Sequence, residues 1–159
     1  MTHNILVSDP ISEKGLQSLI HHPDFNVDFK SGLTEKELVD IIPNYQGLIV
    51  RSQTQVTESI INHASNLKVI ARAGVGVDNI DIKSATLNGI LVVNAPDGNT
   101  ISATEHSVAM ILAMARNIPQ AYTSLKNKEW NRKAFKGVEL YQKVLGVIGA
   151  GRIGLGVAK

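Results

Sequence analysis

The chain has 159 residues, of which 43% are hydrophobic and 19% charged, and its formal net charge is +2. This composition is typical of a globular protein, and the mild charge argues against a nucleic-acid partner. The absence of cysteine excludes disulfides, thiolate metal ligands and cysteine nucleophiles. The longest apolar run, Val108–Ala115, is far shorter than the roughly 20 residues that span a bilayer. The amino terminus has no signal-peptide pattern. We therefore expect a cytoplasmic protein without a membrane partner.

Short apolar runs rich in β-branched residues alternate with helical patterns along the chain. Runs of this length between polar turns are typical of strands buried on both faces of a parallel sheet. The predicted strands are Ile5–Val7, Val27–Phe29, Leu48–Val50, Val69–Ala71, Leu91–Val93 and Val144–Ile148. Because strands that alternate with helices build βα units, the sequence predicts a doubly wound α/β fold.

Two of the intervening helices have clear end signals. Thr34 and Glu37 have the spacing of a capping box ahead of an apolar stripe. Asp81 is placed to cap a short helix that Gly89 ends, because glycine tolerates the left-handed conformation common at helix ends.

The segment after residue 98 has a different pattern. Ser102 and Glu105 have the spacing of a second capping box, and a helix is predicted to run to about Arg116. From Val108 onward this helix is apolar on nearly every side, so we expect other protein to enclose it. We place a domain boundary near Asn99, which gives domains 1–98 and 99–159.

A glycine-rich loop near the end of the chain fits the pattern G-x-G-x-x-G. Gly149 would allow the tight turn, Gly151 would let the backbone approach a pyrophosphate, and Gly154 would let the following helix pack closely. Arg152 adds a positive charge to the loop. The alternative is a plain glycine-rich βα turn.

A second candidate site lies where two predicted strands end. Arg51 and Arg72 follow neighbouring predicted strands, and Gly74 and Gly76 leave the next loop with exposed backbone amides. Such a set suits a small substrate with two anionic groups. Asn79 stands where a dinucleotide fingerprint would have its third glycine, so we predict no second dinucleotide site. Alternatively, both arginines pair with surface acids and the glycines only form a turn.

Four motifs together resemble the D-2-hydroxyacid dehydrogenases. They are RAGVGVDNID (Arg72–Asp81), VVNAPDGNTISATEH (Val92–His106), ARNIPQA (Ala115–Ala121) and LGVIGAGRIG (Leu145–Gly154). The resemblance implies a substrate domain with a flavodoxin-like parallel sheet, followed by the start of a Rossmann domain. It also implies that hydride moves from a 2-hydroxy acid to NAD.

The resemblance assigns roles by position. It implies substrate contacts from Arg51, Arg72, Gly74, Val75 and Gly76. It implies cofactor contacts from Val75, Arg152 and Ile153, in addition to Gly149, Gly151 and Gly154 of the glycine loop. We add Asn99 to the substrate residues, although capping of the helix that follows it is an equally good interpretation. No metal ligand is predicted.

The family's catalytic arginine, glutamate and histidine would all follow residue 159, and none of the five histidines here takes that role. We therefore expect this chain to be an incomplete, inactive portion of an enzyme. The acidic residue that distinguishes NAD from NADP would also lie further on. In the family, the helix from Thr100 and the segment around Trp130 help to build a dimer, so a homo-oligomer is expected.

The two arginines favour a phosphorylated 2-hydroxy acid as the substrate. One alternative within the family is a glyoxylate or hydroxypyruvate reductase. The other is a non-catalytic NAD-sensing regulator of the same fold.

Overall fold

The computed structural model describes residues 2–159, and the chain divides into two compact units. The first unit ends at Gly98 and the second is Asn99–Lys159. No helix in residues 2–159 is long and apolar enough to cross a membrane.

The first unit is built on a five-stranded sheet in which every neighbouring pair is parallel. The strands are β1 (His3–Val7), β2 (Phe25–Phe29), β3 (Gly47–Val50), β4 (Val69–Arg72) and β5 (Leu91–Asn94). Their order, β2-β1-β3-β4-β5, is the flavodoxin-like order. The predicted doubly wound α/β fold is therefore confirmed, and each predicted strand of this unit forms.

Four short helices connect the strands: α1 (Gln17–Ile20), α2 (Glu35–Ile41), α3 (Glu58–His63) and α4 (Ile82–Leu87). The capping box of α2 is confirmed, because the Thr34 hydroxyl accepts from the Glu37 N–H and the Glu37 carboxylate accepts from the Thr34 N–H. The Asp81 cap of α4 is also confirmed. Its carboxylate accepts from the Ser84 N–H at 2.9 Å, and Gly89 follows the helix with φ +67°.

The core of this unit lies between the central strands and the helices. Leu6, Leu48 and Ile70, from the three inner strands, are fully buried. The prediction that all strands are buried on both faces is wrong for the two edge strands. Leu91 of β5 is 62% exposed and Phe29 of β2 is 44% exposed, because an edge strand has a neighbour on one side only.

The second unit contains three helices: α5 (Thr100–Ala115), α6 (Ile118–Lys126) and α7 (Arg152–Ala158). The helix predicted to end near Arg116 is present. The predicted capping box is wrong, since Ser102 lies inside α5 and its hydroxyl donates to the carbonyl of Asn99 at 3.1 Å. The helix begins three positions earlier than the capping box required, with Asn99 rather than Ser102 as the residue before it.

The predicted strand Val144–Ile148 does not form. This segment has no regular secondary structure, and Val144 and Ile148 are almost completely exposed. A strand needs a hydrogen-bonded neighbour, and among the described residues the second unit has no other strand to supply one.

The expected enclosure of α5 is not provided within the second unit. The apolar side chains of Met110, Leu112 and Met114 are about half exposed or more. Within the unit, α5 contacts α6 and α7 only along part of its surface. Ala115 is the one residue of α5 that is buried in the described chain.

Candidate functional site

The ends of β3 and β4 bring the two predicted arginines to one edge of the sheet. Arg72 is the last residue of β4 and is aligned with Val50, the last residue of β3. Arg51 follows Val50 directly. We call the set formed by Arg51, Arg72 and the loop 73–79 the arginine edge. Ligands of open α/β sheets bind beyond such carboxyl ends.

Asp9 holds the turn that carries Arg51. This residue follows the end of β1 and is 3% exposed. Its carboxylate accepts hydrogen bonds from the backbone N–H groups of Arg51 at 2.6 Å, Gln53 at 3.1 Å and Thr54 at 3.0 Å. The hydroxyl of Thr54 donates to it as well. Asp9 is not among the site residues predicted from the sequence; its position two residues after the first strand was the available signal.

Asn79 connects the same turn to Arg72. Its side chain is buried, and its Nδ2 group donates to the carbonyl of Arg51 at 3.0 Å and to that of Thr54 at 2.7 Å. Its Oδ1 accepts from Nε of Arg72 at 2.8 Å. One neutral amide therefore links both halves of the arginine edge. In the sequence, Asn79 stands out only as a departure from a glycine pattern.

The Arg72 side chain is largely buried, at 12% exposure, and its guanidinium lies against Gly74. A Cβ at position 74 would collide with Nη1, so the absence of a side chain there makes room for the arginine. Nη2 is 3.8 Å from a carboxylate oxygen of Asp78, whose side chain is 88% exposed. Because such exposed pairs contribute little, Asp78 is a weak and replaceable partner.

Of the backbone amides of Gly74, Val75 and Gly76, one is already paired and two are not paired within the first unit. The N–H of Gly74 donates to the carbonyl of Arg72 at 2.8 Å, whereas those of Val75 and Gly76 have no partner within the first unit. The loop is tied to β5, since Asn94 Nδ2 donates to the carbonyl of Val75 at 2.6 Å. Two adjacent N–H groups of this kind suit a carboxylate.

Asn99 begins the second unit as the residue before α5. Its side chain is exposed and makes no capping hydrogen bond, whereas its carbonyl accepts from Ala103 N–H at 2.8 Å. The interpretation of its side chain as a helix cap is therefore wrong.

The glycine loop of the second unit has the backbone features of its pattern. Gly149 has φ +95°, which favours glycine. A Cβ on Gly154 would collide with the carbonyl oxygen of Gly149, so α7 packs tightly under the turn. The Cβ position of Gly151 is open, with no atom within 4 Å, so nothing in the chain blocks a ligand there. Arg152 and Ile153 are the first two residues of α7. These residues fit a dinucleotide pyrophosphate.

No histidine hydrogen-bonds to the arginine edge in the described part of the chain. His21 and His63 bond to carbonyls within or beside their own helices, and His22 lies beside Asp24. Residues 2–159 also contain no group of three or more metal-ligating side chains arranged to hold an ion.

A family model for the catalytic domain of D-isomer specific 2-hydroxyacid dehydrogenases matches residues 5–145. The chain belongs to this family. It is similar to the D-3-phosphoglycerate dehydrogenases of Synechocystis sp. (53% identity), Methanocaldococcus jannaschii (54%) and Homo sapiens (46%). These matches cover 97–98% of the chain but only 27–29% of each relative, so the chain spans under a third of their length.

Solved structures of the same fold agree with this assignment. An NAD-dependent formate dehydrogenase from Staphylococcus aureus, in complex with NAD, gives a TM-score of 0.86 at 27% identity over 98% of this chain and 52% of that one. An NAD⁺-bound 3-phosphoglycerate dehydrogenase from Entamoeba histolytica gives a TM-score of 0.78 at 29% identity, over 99% of this chain and 50% of that one.

Proposed function

We propose that this chain is the amino-terminal part of an NAD-dependent D-3-phosphoglycerate dehydrogenase. Such an enzyme oxidises D-3-phosphoglycerate to 3-phosphohydroxypyruvate in serine biosynthesis. The observation that carries the proposal is the identity of 46–54% over nearly the whole chain to bacterial, archaeal and animal proteins of that name.

The chemistry of the arginine edge supports a substrate with two anionic groups. D-3-phosphoglycerate carries a carboxylate and a phosphate. In this proposal the Val75 and Gly76 amides receive the carboxylate, and the guanidinium groups of Arg51 and Arg72 bind the anionic groups with charge-assisted hydrogen bonds. Gly74 contributes by leaving room for Arg72, and Asn99 remains a proposed substrate contact.

The cofactor of the proposal is NAD, held by the loop 149–154. When bound, NAD accepts the hydride that leaves the hydroxyl-bearing carbon. Gly149 shapes the turn, Gly151 admits the pyrophosphate, and the amides of Arg152 and Ile153 donate to it. Gly154 allows α7 to pack closely under the turn, and Val75 is proposed as a further cofactor contact. NAD in the two structural relatives supports this choice.

The two units take different roles in this proposal. Residues 1–98 form the amino-terminal part of the substrate domain, and residues 99–159 begin the NAD-binding domain. The group that takes the hydroxyl proton comes from residues after 159, as in the family. The exposed apolar side chains of α5 support a homo-oligomer, a dimer or a tetramer, of the full-length protein. The proposed location is the cytoplasm.

Steady-state assays of the full-length protein test this function. NADH formation is followed with D-3-phosphoglycerate, D-glycerate or glycolate as the substrate, with NAD and with NADP. We expect efficient turnover of D-3-phosphoglycerate with NAD. Faster turnover of glycolate or D-glycerate would instead support a glyoxylate or hydroxypyruvate reductase. NAD binding without turnover of any hydroxy acid would support a non-catalytic sensor.

A further inference from the structure

We propose that Asn79 is a positioning residue that orients Arg72 toward the anionic substrate and couples it to the turn of Arg51. This inference rests on the proposed function. It starts from the three hydrogen bonds of the buried Asn79 amide, two to backbone carbonyls and one from Arg72.

The orientation of the Asn79 amide is determined by its partners. Both carbonyls, those of Arg51 and Thr54, need a donor, and Nε–H of Arg72 needs an acceptor. The reversed amide would place two donors against each other and an acceptor against two carbonyls. The Oδ1 atom is therefore held toward Arg72.

A hydrogen bond at Nε restricts the orientation of a guanidinium group. The Nε–H bond lies in the guanidinium plane, so the bond to Asn79 fixes one edge of the group and leaves the Nη groups to face an anion. The other side of the Arg72 guanidinium lies against Gly74, where no side chain intrudes. Both contacts restrict a side chain that would otherwise sample many rotamers.

The side chain of Asn79 carries no charge, and this matters for Arg72. A carboxylate at this position would also accept from Nε, but it would neutralise Arg72 inside the protein. Asn79 orients the guanidinium and leaves its positive charge for the substrate. The nearby carboxylate of Asp78 is exposed and 3.8 Å away, so an incoming phosphate or carboxylate displaces it at little cost.

The turn of Arg51 is held from two directions. Asp9 binds its backbone N–H groups and Asn79 binds two of its carbonyls. Asn79 therefore fixes the position of Arg72 relative to the turn that carries Arg51. A substrate with two anionic groups requires such a fixed arrangement of its binding groups.

The test is a double-mutant cycle in the full-length protein. We expect Asn79→Ala to raise the KM for D-3-phosphoglycerate about tenfold and to change the KM for NAD by less than about twofold. In an Arg72→Ala background the same change should lower kcat/KM by clearly less than in wild type, because the bond to Arg72 is gone and only the turn of Arg51 is still disturbed. Equal losses in both backgrounds would overturn the inference, since a general structural defect does not depend on Arg72.

A matched control and a second variant complete the design. Asn88→Ala removes an asparagine that bonds to the Ser84 carbonyl at the end of α4, and it should leave both KM values unchanged. If Asn79→Ala does not fold, Arg72→Lys tests the same bond, because lysine keeps the charge but has no Nε–H. The kcat/KM of Arg72→Lys should fall to within about threefold of that of Arg72→Ala. Wild-type activity with Arg72→Lys would overturn the inference.

The outcomes separate this inference from the proposed function. A wild-type protein that does not oxidise D-3-phosphoglycerate overturns the proposed function, and the inference with it. A wild-type protein that does so, with additive losses in the cycle, overturns the inference alone.

Discussion

The carboxylate of Asp9 accepts a hydrogen bond from the backbone N–H of Arg51 at 2.6 Å, across 42 positions of the sequence. This bond joins the end of β1 to the end of β3. It fixes Arg51 through its backbone, so the guanidinium group stays available for a ligand. The positive charge of the site is therefore positioned by a buried acid that does not pair with it.

Substitution of Asp9 should weaken both the fold and the site. Asp9→Ala leaves the N–H groups of Arg51, Gln53 and Thr54 without their acceptor, and we expect the free energy of unfolding to fall by about 2–3 kcal/mol. Denaturant titration of the full-length protein measures this loss. Asp24→Ala removes an exposed acid and serves as the matched control. Equal stability of the two variants would show that Asp9 does not hold the turn.

Substitution of Gly151 should affect the cofactor alone. The space at its Cβ position is open, so Gly151→Val is compatible with the fold but places a side chain where the pyrophosphate would approach. Calorimetric titration of the full-length protein should show a dissociation constant for NAD raised by about tenfold or more. Gly15→Val, at another open glycine, should leave it unchanged. An unchanged constant in Gly151→Val would refute the cofactor role of the loop.

The cap of α4 should make stability depend on acid pH. The hydrogen bond from the Ser84 N–H holds the pKa of the Asp81 carboxyl below its ordinary value, although desolvation opposes this shift. A lowered pKa in the folded state stabilises the protein above the ordinary carboxyl pKa. That contribution is lost as the pH falls through the lower folded value.

Asp81→Asn isolates this effect, because asparagine also caps helices but does not titrate. Thermal unfolding of wild type and variant should show a wild-type advantage at neutral pH that shrinks below about pH 4. A constant difference between the two proteins across this range would contradict the assignment.

Local signals in the sequence were enough to predict the strands of the sheet and two of the helix caps. The β-branched runs predicted the five strands of the first unit, and Thr34 and Asp81 predicted helix starts because capping depends on neighbours three residues away. Arg51 and Arg72 were predicted to lie together because parallel strands end at a common edge.

Other features depend on partners that no local pattern reveals. Asp9 and Asn79 bind groups 42 and 28 positions away, so their roles follow only from the strand order. The run Val144–Ile148 has the composition of a strand, but strand formation requires a neighbour that the described second unit lacks. Ser102 fits a capping box in sequence, yet α5 begins before it.

The chain of 159 residues, assayed alone, should show no dehydrogenase activity. Oxidation of a hydroxyl needs a base for its proton, and no histidine in residues 2–159 hydrogen-bonds to the arginine edge. NADH formation by the purified chain with D-3-phosphoglycerate is the measurement. Turnover that scaled with its concentration and disappeared in Arg72→Ala would show that the catalytic groups lie within it.

The central claim is that Arg51 and Arg72 recognise a phosphorylated 2-hydroxy acid. The most direct measurement is the ratio of kcat/KM for D-3-phosphoglycerate to that for D-glycerate, which lacks the phosphate, in the full-length protein. Wild type should prefer the phosphorylated substrate. Arg51→Ala or Arg72→Ala should lower kcat/KM for this substrate, which corresponds to a loss of about 1.5–3 kcal/mol in transition-state stabilisation. Lys68→Ala, before the opposite end of β4, should have no effect. Equal use of both substrates by wild type, or an unchanged ratio in both arginine variants, would contradict the account.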